Sequence, residues 1–167
     1  VSSHNNTPPE LMRKAAAFVR QIDKLPLPVK DSPGFLVNRV LGPYMQNAFR
    51  LLDEGYKPET LDAAMEEFGM PMGPAELADT VGLDICLAAG KALAKTTEMP
   101  EVLANKVALG HLGKKSALGL YRYENGKPVK GQPDAYDAAL IDTLIEPYLR
   151  EAEAVLREGI VADADLV

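Results

Sequence analysis

The 167 residues contain no Trp, only four Phe and six Tyr, and a single Cys, Cys86. One thiol cannot close an internal disulfide. Set in an apolar helical pattern, it reads as a small buried hydrophobe and fits a reducing, cytoplasmic setting. No stretch approaches the roughly 20 apolar residues that a membrane span needs, and no signal peptide is recognisable, so the protein reads as soluble. Basic residues are outnumbered, 18 Lys and Arg against 24 Asp and Glu, and the net charge of −6 argues against generic binding to a phosphate backbone. No G-x-G-x-x-G turn occurs anywhere, so a dinucleotide pyrophosphate has no Rossmann-type helix N-terminus within the chain. What the chain does have is apolar material: 47% hydrophobic residues can build a real core for one domain, or for one domain with a piece of another.

That material recurs at helical spacing. Residues 8 to 22 read as an amphipathic helix opened by prolines, and 27 to 30 as a short extended segment. Helices are expected over about 33 to 54, with Ser32 as cap and Pro33 at its first position, and over 58 to 68, from Pro58 to the stop at Gly69. Further helices are expected from Pro74, over 83 to about 97, and over 100 to 109. GHLGKKSALGLYRYENGKP then reads as a small hairpin with a strand at 118 to 123 and an Asn125-Gly126 turn. A last helix runs from about 134 to 158, closed by Gly159. The fold class is all-α, with a small Gly/Lys-rich hairpin.

FLVNRVLGPYM (35–45) and ALIDTLIEPYL (139–149) superimpose at a constant offset of 104 residues, and the match continues to Glu54-Gly55 and Glu158-Gly159. A helical module is therefore duplicated. Each copy carries an internal proline, Pro43 or Pro147, which frees a carbonyl one turn back and bends the helix. The second copy stops soon after its first helix, as expected for a piece excised from a longer protein. Within the first copy Asn38 lies on a stripe with Leu41, Gly42, Met45 and Phe49, so its amide is expected to face an apolar surface.

KDSPGFLVNRVLGPYMQNAFRLLDEG, MPMGPAELADTVGLD and GHLGKKSALGLYRY, in that order and at those spacings, closely resemble the C-terminal helical domain of 3-hydroxyacyl-CoA dehydrogenases, over about residues 5 to 125. The duplication resembles the multifunctional form, the alpha subunit of the bacterial fatty-acid oxidation complex. The resemblance implies a module like the C-terminal domain of 6-phosphogluconate dehydrogenase. It divides the chain into a Rossmann remnant at 1–31, a first module at 32–126 and the start of a truncated repeat at 127–167. It implies NAD in the full-length enzyme but none bound to this chain, an acyl-CoA substrate, and Rossmann and enoyl-CoA hydratase domains in cis. A homodimer and a thiolase subunit are candidate partners; nucleic acid is not.

The same resemblance gives Asn38 a role, reaching toward the substrate carbonyl and a catalytic His. A carboxamide suits that role because it can donate to a keto oxygen, or accept from a hydroxyl, without adding charge. Its counterpart in the second copy is Asp142, which suggests that only the first copy is wired to an active site. The catalytic His and Glu are expected upstream of this chain; His4 and His111 match neither and read as surface residues. Lys115 resembles a position near the cofactor, where a flexible lysine could reach a phosphate or ribose. Arg39 reads as structural, capping helix carbonyls or pairing with Asp79 or Asp84, and MPMGPAELAD reads as architecture. No metal site is expected. The competing reading is a helical interaction or dimerisation module with no ligand role; a sibling dehydrogenase for another hydroxy acid fits GKKSALGLYRY less well.

Overall fold

The computed structural model describes residues 1–4, 6–93 and 99–162. It consists of seven helices with two very small sheets: β1 (Ser2–Ser3), α1 (Pro9–Gln21), β2 (Val29–Lys30), α2 (Val37–Asp53), α3 (Pro58–Phe68), α4 (Pro74–Val81), α5 (Leu83–Leu93), α6 (Glu101–Ala108), β3 (Arg122–Glu124), β4 (Lys127–Val129) and α7 (Ala138–Arg157). The all-α reading holds. The expected end of the helix from Leu83, at 94 to 97, lies outside the described residues.

The chain divides into two compact units, Val1–Val40 with the segment from Leu149 onward, and Leu41–Tyr148. In the first, β1 pairs in parallel with β2 through α1, giving a β-α-β crossover. Its buried residues are Val29, Leu36, Val40, Ala154, Val155, Ile160 and Val161, whereas α1 buries none of its side chains. In the second unit Tyr44, Ala48 and Leu51 of α2 pack with Leu61, Ala64 and Met65 of α3 and Leu140, Leu144 and Ile145 of α7. A second cluster joins Phe49 to Ala78, Leu83 and Leu103, with Cys86 packed partly buried against it.

Helix ends follow local chemistry. Pro58 opens α3 and Gly69, at φ 115°, closes it with the paired bonds Gly69 N–H to Glu66 O and Met70 N–H to Met65 O. The same closure recurs after α2 at Gly55 and after α7 at Gly159, equivalent positions of the two repeats. Asp53 accepts from the N–H groups of Glu101 and Val102 and so caps α6.

Three expectations require correction. Helix α2 starts at Val37 rather than Pro33, because Gly34 (φ 80°) and Phe35 (φ 51°) are both left-handed and cannot form the first turn of a right-handed helix. Ser32 therefore does not cap it; its carbonyl accepts from Phe35 N–H at 2.8 Å. Helix α7 begins at Ala138, since Asp134 turns away, donating its N–H to Thr60 Oγ1 at 2.9 Å and pairing its carboxylate with Lys57. The hairpin turns at Asn125-Gly126, both left-handed, but β3 begins only at Arg122. The N–H groups of Leu120 and Tyr121 are taken by the Asp79 carboxylate at 2.8 and 2.9 Å, which withdraws them from any ladder.

Candidate functional site

In the first unit a cavity of about 420 Å³ is lined by Val1, Ser2, Leu27, Val29 and the run from Gly34 to Asn38. Its wall is apolar except for backbone, Ser2 and Asn38. Because α2 begins at Val37, Asn38 falls in its first turn. Asn38 is exposed and makes no hydrogen bond among the described residues, and the apolar surface it meets is the wall of this cavity rather than a packed core. An unpaired amide beside apolar walls can orient a small polar group while the walls hold a hydrocarbon.

Arg39, the next residue, does not reach Asp79 or Asp84. Its Nε donates to Glu151 Oε1 at 2.6 Å, its terminal nitrogens reach both oxygens of Glu158 at 2.7 and 2.9 Å, and Nη1 lies 3.3 Å from Ser32 Oγ. The two carboxylates hold the guanidinium still further above its already high pKa, chiefly through the Glu158 hydrogen bond. The expected partners are engaged elsewhere: Asp79 on backbone, and Asp84 on Lys115.

Lys115 belongs to the second unit, in a 3₁₀ turn at Lys114–Ser116. Its Nζ lies 2.5 Å from Asp84 Oδ1, and the pair sits over Gly82, where an added Cβ would stand 2.9 Å from that oxygen and 3.0 Å from Nζ. The lysine holds the Asp84 carboxyl below its ordinary pKa. It is therefore ion-paired in this structure. His4 pairs with Asp31 at 3.2 Å with its ring largely exposed, while His111 donates its N–H in the closure after α6.

Two buried aspartates organise the second unit. Asp62 accepts from Ala75 N–H at 2.7 Å, Glu76 N–H at 3.2 Å and Tyr121 OH at 2.8 Å, capping α4 from α3. Burial pushes both Asp62 and Asp79 upward in pKa, against the hydrogen bonds that hold each carboxylate. The only trace of either role in the sequence is a charged residue on the apolar stripe of α3 or α4. MPMGPAELAD is architecture, as expected: a Cβ on Gly73 would stand 2.1 Å from Asp62 Cα. Asp62, Glu66 and Glu76 converge closely enough to hold a cation, and Lys130 supplies it, with Nζ 3.3, 3.1 and 2.8 Å from the three carboxylates.

Residues 34–123 match the family model "3-hydroxyacyl-CoA dehydrogenase, C-terminal domain". Over 96% of its length the chain is 33% identical to the fatty acid oxidation complex subunit alpha of Idiomarina loihiensis, covering 25% of that protein. It is 36% identical to the protein of that name from Shewanella sp. strain MR-7, covering 24% of it. The chain thus spans about a quarter of the length of these relatives. Among solved structures, (S)-3-hydroxybutyryl-CoA dehydrogenase PaaH1 from Ralstonia eutropha superimposes with a TM-score of 0.68 at 35% identity, covering 74% of this chain and 46% of that one. The 3-hydroxybutyryl-CoA dehydrogenase of Escherichia coli K12 gives 0.66 at 33%, covering 82% and 31%.

Proposed function

The chain belongs to the 3-hydroxyacyl-CoA dehydrogenase family as its C-terminal helical domain, and from that premise we propose that it is the substrate-side portion of an NAD-dependent 3-hydroxyacyl-CoA dehydrogenase of fatty-acid β-oxidation. The observation that carries this reading is the free carboxamide of Asn38 in the wall of an apolar cavity. There Asn38 donates to the 3-keto oxygen of an acyl-CoA, or accepts from the 3-hydroxyl, and the donated bond strengthens as negative charge develops on that oxygen. The cavity's apolar wall receives the adjoining hydrocarbon.

NAD supplies the hydride acceptor in the complete enzyme. In this reading the Gly-rich phosphate turn lies in another domain, and Lys115, paired with Asp84 in this structure, reaches a phosphate or ribose of the cofactor in competition with that carboxylate. The β1-α1-β2 crossover is consistent with residues 1–31 being the end of a Rossmann domain, so the nucleotide site and the His/Glu pair belong to sequence that precedes these residues. Hydratase domains in cis, a homodimer, a thiolase subunit and a cytoplasmic location belong to the same proposal. A second reading, an interaction module, draws on α1 and the residue that follows it, where Leu11, Phe18 and Ile22 are more than half exposed.

The test is NADH oxidation with acetoacetyl-CoA by the 167 residues alone and by the same chain joined to the preceding NAD-binding domain. Turnover only by the joined form supports the proposal. Turnover by the short chain overturns the assignment of the nucleotide site to another domain. In the joined form Asn38→Ala should lower kcat by roughly 30-fold or more, as for loss of an oxyanion donor, and an unchanged rate would remove Asn38 from the site.

A further inference from the structure

Residues 34 to 38 line the cavity, and the first two of them hold a left-handed backbone. Phe35 holds a left-handed backbone that a residue with a Cβ adopts reluctantly, beside Gly34 in the same region, and such a turn persists only where its surroundings dictate it. Both flanks of the turn are fastened to the last turns of α7 and the residues just after it. Upstream, Lys30 N–H donates to Ile160 O at 2.9 Å. Downstream, Arg39 joins Glu151 and Glu158 and reaches back to Ser32 Oγ, while Ser32 O accepts from Phe35 N–H.

Resting on the reading of Asn38 as the substrate contact, we infer that Arg39, clamped by Glu151 and Glu158, is a positioning residue that sets where Asn38 stands. Asn38 has no hydrogen bond of its own to fix it, so its place follows from the rotation of the first turn of α2. The next side chain along, a planar fork holding two carboxylates, fixes that rotation. The second repeat thereby acquires a purpose in the site although it carries none of the site's chemistry. Asp142 and Thr143 occupy its Asn38 and Arg39 positions, while Glu151 of α7 and Glu158 just after it provide both carboxylates. In the first repeat the equivalent positions are Asn47 and Glu54, and Glu54 is engaged with Arg50 of its own helix.

The test uses the complete dehydrogenase. Glu151→Ala with Glu158→Ala removes both anchors at partly exposed positions without altering the Asn38 side chain itself. The expected result is a fall in kcat on the order of tenfold with KM for acetoacetyl-CoA nearly unchanged, because a small misplacement of a transition-state contact slows turnover more than it weakens binding. Adding Asn38→Ala to that background should cost no more than about twofold further, since the amide is already out of place. Arg39→Lys, which keeps the charge but not the fork, should lower kcat severalfold and guards against a double variant that folds poorly. Wild-type kcat in both variants overturns the clamp, as does an undiminished Asn38→Ala effect in the double-alanine background. Loss of the Asn38→Ala effect in the otherwise unaltered enzyme overturns instead the substrate reading beneath it.

Discussion

Tyr44 and Tyr148 hold the same position in the two repeats and touch each other, ring centroids 6.5 Å apart and planes at 85°. A residue that meets its counterpart at the 104-residue offset marks two equivalent segments packed together, here α2 against α7 within the second unit. Two polar contacts carry the same signature. Asn47 of α2 reaches Thr143 of α7, and Arg39 of α2 reaches Glu151 of α7, which is one pair of repeat positions used in both directions. The chemistry differs at the two ends, an amide on a carbonyl in one case and an ion pair in the other.

The first of these contacts repairs a backbone defect. Pro147 has no N–H for the carbonyl four residues earlier, that of Thr143, and Asn47 Nδ2 donates to this oxygen at 2.7 Å. Asn47→Ala should cost about 1 kcal/mol in urea unfolding, the net value of such a bond at a partly solvated site. In a Pro147→Ala background, where a helical N–H returns to Thr143 O, the same substitution should cost less than half as much. Equal costs in the two backgrounds would show that the amide serves some other contact.

Much of this was legible beforehand where punctuation and periodicity agree. Pro58 and Gly69 bound α3 as read, and the 104-residue repeat foretold that Gly55 and Gly159 close their helices alike. The errors share a cause. Ser-Pro at 32–33 is a good helix start by local preference, but the left-handed pair at Gly34 and Phe35 delays the helix by a turn and leaves Asn38 exposed in its first turn. Local pattern also could not say that Asp79 would take two N–H groups from the predicted strand at 118–123, or that Arg39 would find carboxylates more than a hundred residues on. Those are long-range pairings between residues whose own neighbourhoods are unremarkable.

Two glycines are required for different reasons, and alanine should separate them. Gly55, at φ 99°, has open space around its missing Cβ, so Gly55→Ala meets only backbone strain and should cost about 1–2 kcal/mol. At Gly119 a Cβ would lie 2.1 Å from Asp79 Oδ1 and 2.5 Å from Gly113 Cα. Gly119→Ala should therefore cost about 3 kcal/mol or more, since neither backbone nor a buried carboxylate can withdraw. Thermal unfolding of the two variants checks the order.

Cys86 should resist alkylation. Burial pushes its thiol from 9.0 up to about 11, with Asp79 and Asp84 adding to the shift. At pH 8 the native thiolate fraction is then roughly a hundredfold below that of the unfolded chain. Iodoacetamide labelling should be slower in the folded protein by at least that factor and should climb as pH rises through 10. Equal rates in folded and denatured protein would place the thiol in water.

The ion pair of Asp84 and Lys115 predicts a pH dependence of definite sign. Lys115 holds the folded Asp84 carboxyl below 3.8, so the pair stabilises the fold above the unfolded value. That contribution disappears as pH falls through the lowered one. The carboxyl carbon of Asp84, followed by NMR, should titrate below 3.8 and move upward in Lys115→Met, and the acid limb of the stability curve should lose a corresponding step. A variant whose Asp84 midpoint does not move would show the lysine spending its time elsewhere. The same titration bears on the cofactor: a phosphate reached by Lys115 must compete with Asp84 for one ammonium. Adding NAD to the complete enzyme should raise the Asp84 midpoint if that contact forms, and an unmoved midpoint would remove Lys115 from the nucleotide site.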